Sequence, residues 1–300
     1  MGKRSLRKRI YKDRNLYLLF SPVLIFFIIW HFIPIWGARI AFQDVKYIGD
    51  NTWVGLKHFK ILFSSPVFFR VFMNTITISA MKIFFFFPLP IILALLLNEV
   101  KSRGFQKGIQ SVIYLPHFLS WVVIAGIFIS LLASPDGAVN KLIHLVGIDP
   151  IPFMTSTTYI RWVFVGSEIW RSIGWDSILY IAAINNIPLQ IYDAATVDGA
   201  GRFQQAMKIT LPSILPTIIT VFILNLGFFM NAGFDQVFNM MNDAVINYVD
   251  IIDTYVYRIG LGKGNFSLGT AAGLFKGFIG LFLILSTDRM SRKVTGEGVW

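Results

Sequence analysis

The sequence predicts an all-α polytopic membrane protein with six transmembrane helices, and three observations carry the prediction. The 300-residue chain is 55% hydrophobic and 14% charged, against about 25% charged in an ordinary soluble domain. Six stretches are long and apolar enough to cross, as helices, a hydrocarbon layer about 30 Å thick. Lys and Arg fall unequally on the two alternating sets of loops between those stretches. A soluble globular enzyme and a disordered chain are both excluded by this composition. The chain has no cysteine, which removes disulfides, thiolate metal sites and a cysteine nucleophile. Its four histidines, His31, His58, His117 and His144, have no ligand spacing, so no metal site and no catalytic residue are predicted.

The spans run over residues 17–36, 71–97, 111–132, 160–184, 213–240 and 268–286. Lipid offers the backbone no hydrogen-bond partner, so each is read as a helix. The first, 17–36, is longer than a signal-peptide core and lacks a small-residue cleavage pattern, so it is read as a retained helix. The second carries Lys82 and the Pro88/Pro90 pair, which predicts a kink. The third, 111–132, is read as one continuous helix. The fourth is the least apolar because it holds Glu168, Arg171 and Asp176. The fifth and sixth are read as uninterrupted spans.

Orientation follows from the cations. The end that includes residues 1–16, with the loops and tail on its side, holds fifteen Lys and Arg; the opposite side holds eight in longer loops. The richer side is expected to be cytoplasmic. The chain therefore divides into a basic cytoplasmic segment (1–16), a six-helix transmembrane domain (17–286) and a cytoplasmic tail (287–300). The basic segment reads as an orientation and headgroup signal, with no nucleic-acid partner, because no companion fold accompanies it.

The loop after span four, 192–212, carries more sequence than a bare connection needs. Asp193, Ala194 and Ala195 suit a helix N-terminus. Asp198-Gly199-Ala200-Gly201 signals a turn. Residues 202–210 resume helical composition, and Leu211-Pro212 marks entry to span five. Two short helices meeting at a glycine corner make a surface suited to a partner.

This loop resembles the EAA motif of binding-protein-dependent ABC importer permeases. Ala194, Ala195, Asp198, Gly199, Ala200, Ile209, Leu211 and Pro212 fall on the pattern at its spacing. Asp193 stands where the family usually has Glu, keeping the charge on a shorter arm. Ala206 stands where it usually has Phe, which removes an apolar contact. The run YLPHFLSWVV from Tyr114 and the run LALLLN ending at Asn98 are similar to carbohydrate-uptake, maltose-type permeases, and most to the LplB-like branch that imports polysaccharide breakdown products. The resemblance implies the ABC type I importer permease fold in a bacterial plasma membrane, with both termini cytoplasmic. It also implies a second, homologous permease in a heterodimer, two ATPase subunits docked on residues 193–212, and an extracytoplasmic binding protein that delivers a sugar or oligosaccharide. The chain has no G-x-x-x-x-G-K-[ST] run. ATP and magnesium are thus expected on the partner ATPases, and no cofactor on this chain. Gly260–Gly264, the nearest approach to such a run, reads as a flexible external loop.

Candidate solute contacts lie on spans four and five, where ionisable and amide groups are costly unless they face a cavity or a partner. Glu168, Arg171 and Asp176 share an arc of roughly 140° with Trp175, at about 100° per residue. Glu168 and Arg171, at i and i+3, are placed to pair. Trp170 or Trp175 would stack on a pyranose face. On span five Asn225, Phe229, Gln236 and Asn239 share a face, combining hydroxyl partners with an aromatic ring. Lys82 and Lys276 are expected to be paired or to reach toward the interface. The external loops, with Tyr47, Trp53, Tyr248, Tyr255 and Tyr257, would either receive the binding protein or form an interfacial belt. Two rival readings stay open: an ABC permease for another solute, such as glycerol phosphate or a polyamine, and a stand-alone secondary carrier.

Overall fold

The computed structural model describes residues 11–46 and 48–295. Most of the basic segment, the last five tail residues and Tyr47 therefore lie outside the described residues. Helix α1 spans Arg14–Phe42. It loosens into a π turn at Ile28–Phe32 and tightens into a 3-10 turn over Trp36–Phe42. None of its most apolar 18 residues is buried within the chain, as suits a helix that meets lipid or another subunit. A two-residue hairpin, β1 (Gln43–Asp44) against β2 (Thr52–Trp53), and α2 (Lys57–Phe63) lead to α3.

Helix α3 runs over Pro66–Asn98 and is one element despite its prolines. Pro66 sits in its first turn and Ser65 caps it, accepting from the Phe68 amide. Pro88 interrupts regular helix only at Phe87, which keeps helical dihedral angles.

The third predicted span is a correction. Helix α4 (Arg103–Phe118) and α5 (Trp121–Leu131) meet at 102°. Pro116 removes an amide donor, Leu119 and Ser120 are extended, and the Ser120 hydroxyl caps α5 by accepting from the Val123 amide. The close approach of Gly174 to the Ile113 carbonyl, where a Cβ would stand 2.3 Å from the oxygen, holds α4 across the helix over Ile160–Asn185. Beyond α5, α6 (Ala138–Leu145) is fastened by Asn140, fully buried, which donates to Ala133 O and Ile151 O and accepts from the Ile151 amide at 2.8–3.0 Å.

Helix α7 spans Ile160–Asn185 and is long enough to cross the membrane, though too charged to pass on apolarity alone. Among the described residues three helices pass on both counts, and five do if each bent pair is one span. The loop after span four follows as α8 (Leu189–Val197) and α9 (Arg202–Ser213), and α9 meets α10 (Leu215–Gly227) at 58°. Span five is a second correction. It breaks after Gly227 and resumes as α11 (Phe234–Met240), because Gly233 takes a left-handed φ of +97°.

The segment expected as an external loop, 241–267, is folded. Helix α12 (Ile246–Val249) and α13 (Ile252–Val256) continue into a π turn at Tyr257–Gly262 that lies on α14 (Phe266–Thr295). Gly260 is buried, and a Cβ on Gly269 would come within 2.8 Å of its Cα, so the stretch is packed at Gly260 while residues 261–263 stay exposed. Tyr255 is buried against Phe68, whereas Trp53 is exposed and stacks on Phe42. Burial raises the Tyr255 hydroxyl above its ordinary pKa. Helix α14 continues past residue 286, so part of the predicted tail is helix.

One core cluster, with Ile78, Phe164, Val237 and Met240, joins α3, α7 and α11. A second joins Phe68, Met230, Tyr255 and Ala272. A third, with Ala94, Tyr180, Ile184 and Ile214, closes the opposite end.

Candidate functional site

Two features stand out, a corner on the loop side and a cavity between spans. The corner is built as the sequence suggests, with one shift. Helix α8 starts at Leu189, behind Pro188, so Asp193 lies in its second turn and not at its N-terminus. Proline at the cap position, with its fixed φ, starts the helix a turn earlier than the acidic residue would. Asp193, Ala194, Asp198, Gly199 and Pro212 are exposed; Ala195, Ala200, Ile209 and Leu211 are half-buried.

The turn needs Gly199, whose φ is +79°. The Ala200 amide donates to Ala195 O at 2.8 Å, ending α8. Gln205 Nε2 then donates to Thr196 Oγ1 and to Ala200 O, each at 3.0 Å. Tyr192 and Thr210 share a 2.8 Å hydrogen bond. The two helices are thus cross-tied by side chains, and motion of one is passed to the other. Sequence reasoning missed Val197 and Phe203, 88% and 79% exposed, which flank the corner as apolar knobs. Their exposure depends on which face of each short helix turns outward, and helices this short have too few turns to show it.

The cavity, about 390 Å³, lies among α3, α5, α7 and the broken span five. Four predicted path residues meet in its wall: Glu168, Asp176, Asn225 and Phe229. Lys82, Trp121, Tyr180 and Asn231 join them and were not selected from sequence as solute contacts.

The predicted Glu168–Arg171 pair does not form. Glu168 Oε2 accepts from Lys82 Nζ at 2.9 Å, and Glu168 Oε1 accepts from Ser172 at 3.1 Å. The Arg171 guanidinium instead lies 5.0 Å over the Trp121 ring and donates to His117 O at 3.4 Å. A lysine from another helix reaches the carboxylate more directly than an arginine one turn along the same helix. The expectation that Lys82 and Lys276 are paired is met, since Lys276 Nζ donates to both Asp253 oxygens at 2.6 and 2.8 Å.

The remaining path candidates lie elsewhere. Trp170 meets Phe128 edge-on, and Trp175 stacks on His117 with the planes 2° apart. Gln236 is fully buried and donates to Phe164 O at 2.7 Å and Ser167 Oγ at 2.8 Å, which makes it an interhelical link. Asn239 donates to Asp235 O on its own helix. The face shared by Asn225, Phe229, Gln236 and Asn239 assumed one continuous helix. The break at 228–233 rotates its second half out of register with the first.

The cavity wall offers carboxyl and amide groups beside aromatic rings. Hydroxyl-rich solutes need that mixture, because hydroxyls require partners while C–H faces favour rings.

Comparison with known proteins follows the same lines. Residues 86–295 match the family described as binding-protein-dependent transport system inner membrane component. The chain is 41% identical to the polygalacturonan/rhamnogalacturonan transport system permease protein YteP of Bacillus subtilis (strain 168), covering 99% of this chain and 95% of that protein. It is also 41% identical to protein LplB of the same organism, covering 96% and 92%. A solved bacterial ABC transporter involved in import of the acidic polysaccharide alginate aligns with a TM-score of 0.92 at 38% identity, covering 97% of this chain and 100% of the other. The alginate transporter in complex with a periplasmic protein bound to an alginate pentasaccharide aligns equally well.

Proposed function

The chain belongs to the family of binding-protein-dependent transport system inner membrane components, and on that premise we propose that it lines half of the translocation path of an ATP-driven oligosaccharide importer. The carrying observation is the cross-tied corner at Asp193–Pro212, exposed at Val197 and Phe203 and continuous with the broken span that walls the cavity. An ATPase subunit docks there. ATP and its magnesium are held by two such subunits. Their closure shifts the path between outward-open and inward-open states.

A second, different permease supplies the facing half of the cavity, and a binding protein delivers the solute from outside. The relatives named for polygalacturonan/rhamnogalacturonan and for alginate favour a fragment of a plant or algal polysaccharide as that solute. Glu168, Asp176, Asn225 and Phe229 are its contacts on this subunit. The protein resides in a bacterial plasma membrane with both termini inside.

The test is co-purification of the tagged chain from native membranes in mild detergent, with mass spectrometry of what travels with it. An ATPase and a second six-span permease are expected. A lone chain, or a homodimer without ATPase after gentle crosslinking, would move the assignment to a stand-alone carrier.

A further inference from the structure

Span five is two half-helices. Helix α10 ends at Gly227, residues 228–233 form turns, and α11 begins at Phe234. An unwound stretch inside a membrane needs partners for its backbone groups. The Ala232 carbonyl finds one in Lys82 Nζ, at 2.8 Å. The same ammonium donates to Glu168 Oε2 at 2.9 Å. The side chains of Lys82 and Glu168 are only 13% and 19% exposed. One cation therefore joins α3, α7 and the break. Gly233 is required there by its φ of +97°, and a Cβ would stand 2.8 Å from Lys82 Nζ, the mobile end of a side chain that it would push aside.

The two halves are anchored differently. Helix α11 is set into the core, with Val237 and Met240 buried beside Ile78 and Phe164. Helix α10 continues from the coupling corner through a 58° bend. The unwound stretch lies between them and presents Phe229 and Asn231 to the cavity.

We infer that Lys82 is a positioning residue of the translocation path: its ammonium pins the unwound stretch 228–233 to α7, so that displacement of the coupling corner swings α10 while α11 stays in place. This rests on reading the cavity as the solute path. Without the ammonium the Ala232 carbonyl loses its partner and the stretch loses its fixed shape. Motion of the corner is then spent within the stretch instead of reshaping the cavity, and ATP is hydrolysed without transport.

The experiment uses the complete importer in proteoliposomes. Because this chain lacks cysteine, Thr220→Cys and Phe238→Cys place spin labels on either side of the break in a complex whose other subunits are made cysteine-free. Distance distributions, ATP hydrolysis and solute uptake are read for Lys82→Met, Lys82→Arg, Glu168→Gln and Gly233→Ala. Lys82→Met is expected to broaden the distance distribution and cut uptake per ATP about tenfold, the scale of one lost charged hydrogen bond. Lys82→Arg, which keeps the donors, recovers most of both. Glu168→Gln keeps the bond to Ala232 and loses less than Lys82→Met. If Lys82→Met does not assemble, Gly233→Ala carries the test, because its methyl group displaces the ammonium and is expected to broaden the distribution in the same way.

An unchanged distance and unchanged coupling in Lys82→Met, or in Gly233→Ala where that variant carries the test, overturns the inference. So does a Glu168→Gln defect equal to that of Lys82→Met, which would reduce the lysine to an ion-pair partner. If the unaltered complex takes up no sugar, the functional reading fails, while the distance measurement still decides the role of Lys82.

Discussion

Asp193 stands in the second turn of α8 with its carboxylate exposed, one turn before the corner. Nothing within the chain engages it among the described hydrogen bonds and ion pairs, which suits a group kept for a partner. Asp193→Lys is expected to lower ATP-coupled uptake by about tenfold, the size of an interfacial charge reversal, while the subunit still inserts and folds. Uptake measured in cells with matched membrane levels checks this, and unchanged uptake would remove Asp193 from the docking surface. In the β1–β2 hairpin, Asp44 is held below the usual carboxylate range chiefly by its hydrogen bond from Lys57, at 2.6 Å. A depressed folded pKa contributes stability above the unfolded value of about 3.9, and that contribution is lost as pH falls through the folded value. The β1–β2 hairpin should therefore keep its amide protection from neutral pH down to the ordinary carboxylate range and loosen below it. In Asp44→Asn the same exchange measurement, corrected for intrinsic rates, should show no such step.

At the scale of elements, glycines decide where helices cross and where they break. Gly174 brings α7 onto the Ile113 carbonyl of α4, and the opposing atoms are backbone, which cannot swing aside. Gly174→Ala should separate the two helices, disturb the corner at Pro116–Ser120 and cost about 1–3 kcal/mol, as overpacking does. The unfolding midpoint in detergent is expected to drop. Gly166→Ala, on the same helix but facing open space, should leave that midpoint unchanged or raise it. The elements were unequally legible. Spans one, two and six were readable because each is long and apolar enough on average to cross a membrane despite Lys82 and Lys276. The 102° bend at 118–121 and the break at 228–233 were not, because Pro116, Ser120 and Gly233 also occur in continuous membrane helices. What makes them breaks is the contact waiting for them: Gly174 against α4, and Lys82 against Ala232 O.

For the whole molecule, the cation asymmetry is the basis for proposing that the corner lies inside and the hairpin outside. Single cysteines at Lys101 and at Ile48, both exposed, test this directly in a chain that has no cysteine of its own. A membrane-impermeant maleimide should label Ile48→Cys in intact cells and Lys101→Cys only after permeabilisation. The reverse pattern would place residues 189–213 outside and withdraw them from any intracellular ATPase. The segment expected to be an external loop is also more structured than its sequence suggested. Segment 241–262 is fastened to α3 by Asn74, which donates to Asn247 O and Asp250 O, and to α14 by Lys276 on Asp253, while Arg258 paired with Asp250 ties the segment to itself.

The sequence by itself determined the class of the protein and the glycine turn within Asp193–Pro212, and it set an expected orientation. Those properties are local: apolar length, loop charge, and motif spacing within about twenty residues of chain. Only the tertiary structure decided which charges meet. Lys82 and Glu168 are 86 residues apart, and within one helix the nearer prospect for Glu168 was Arg171. It also decided which half of span five faces the cavity, because a single left-handed glycine resets helical phase for every residue after it. Periodicity can assign faces along a continuous helix, but it cannot carry them across a break.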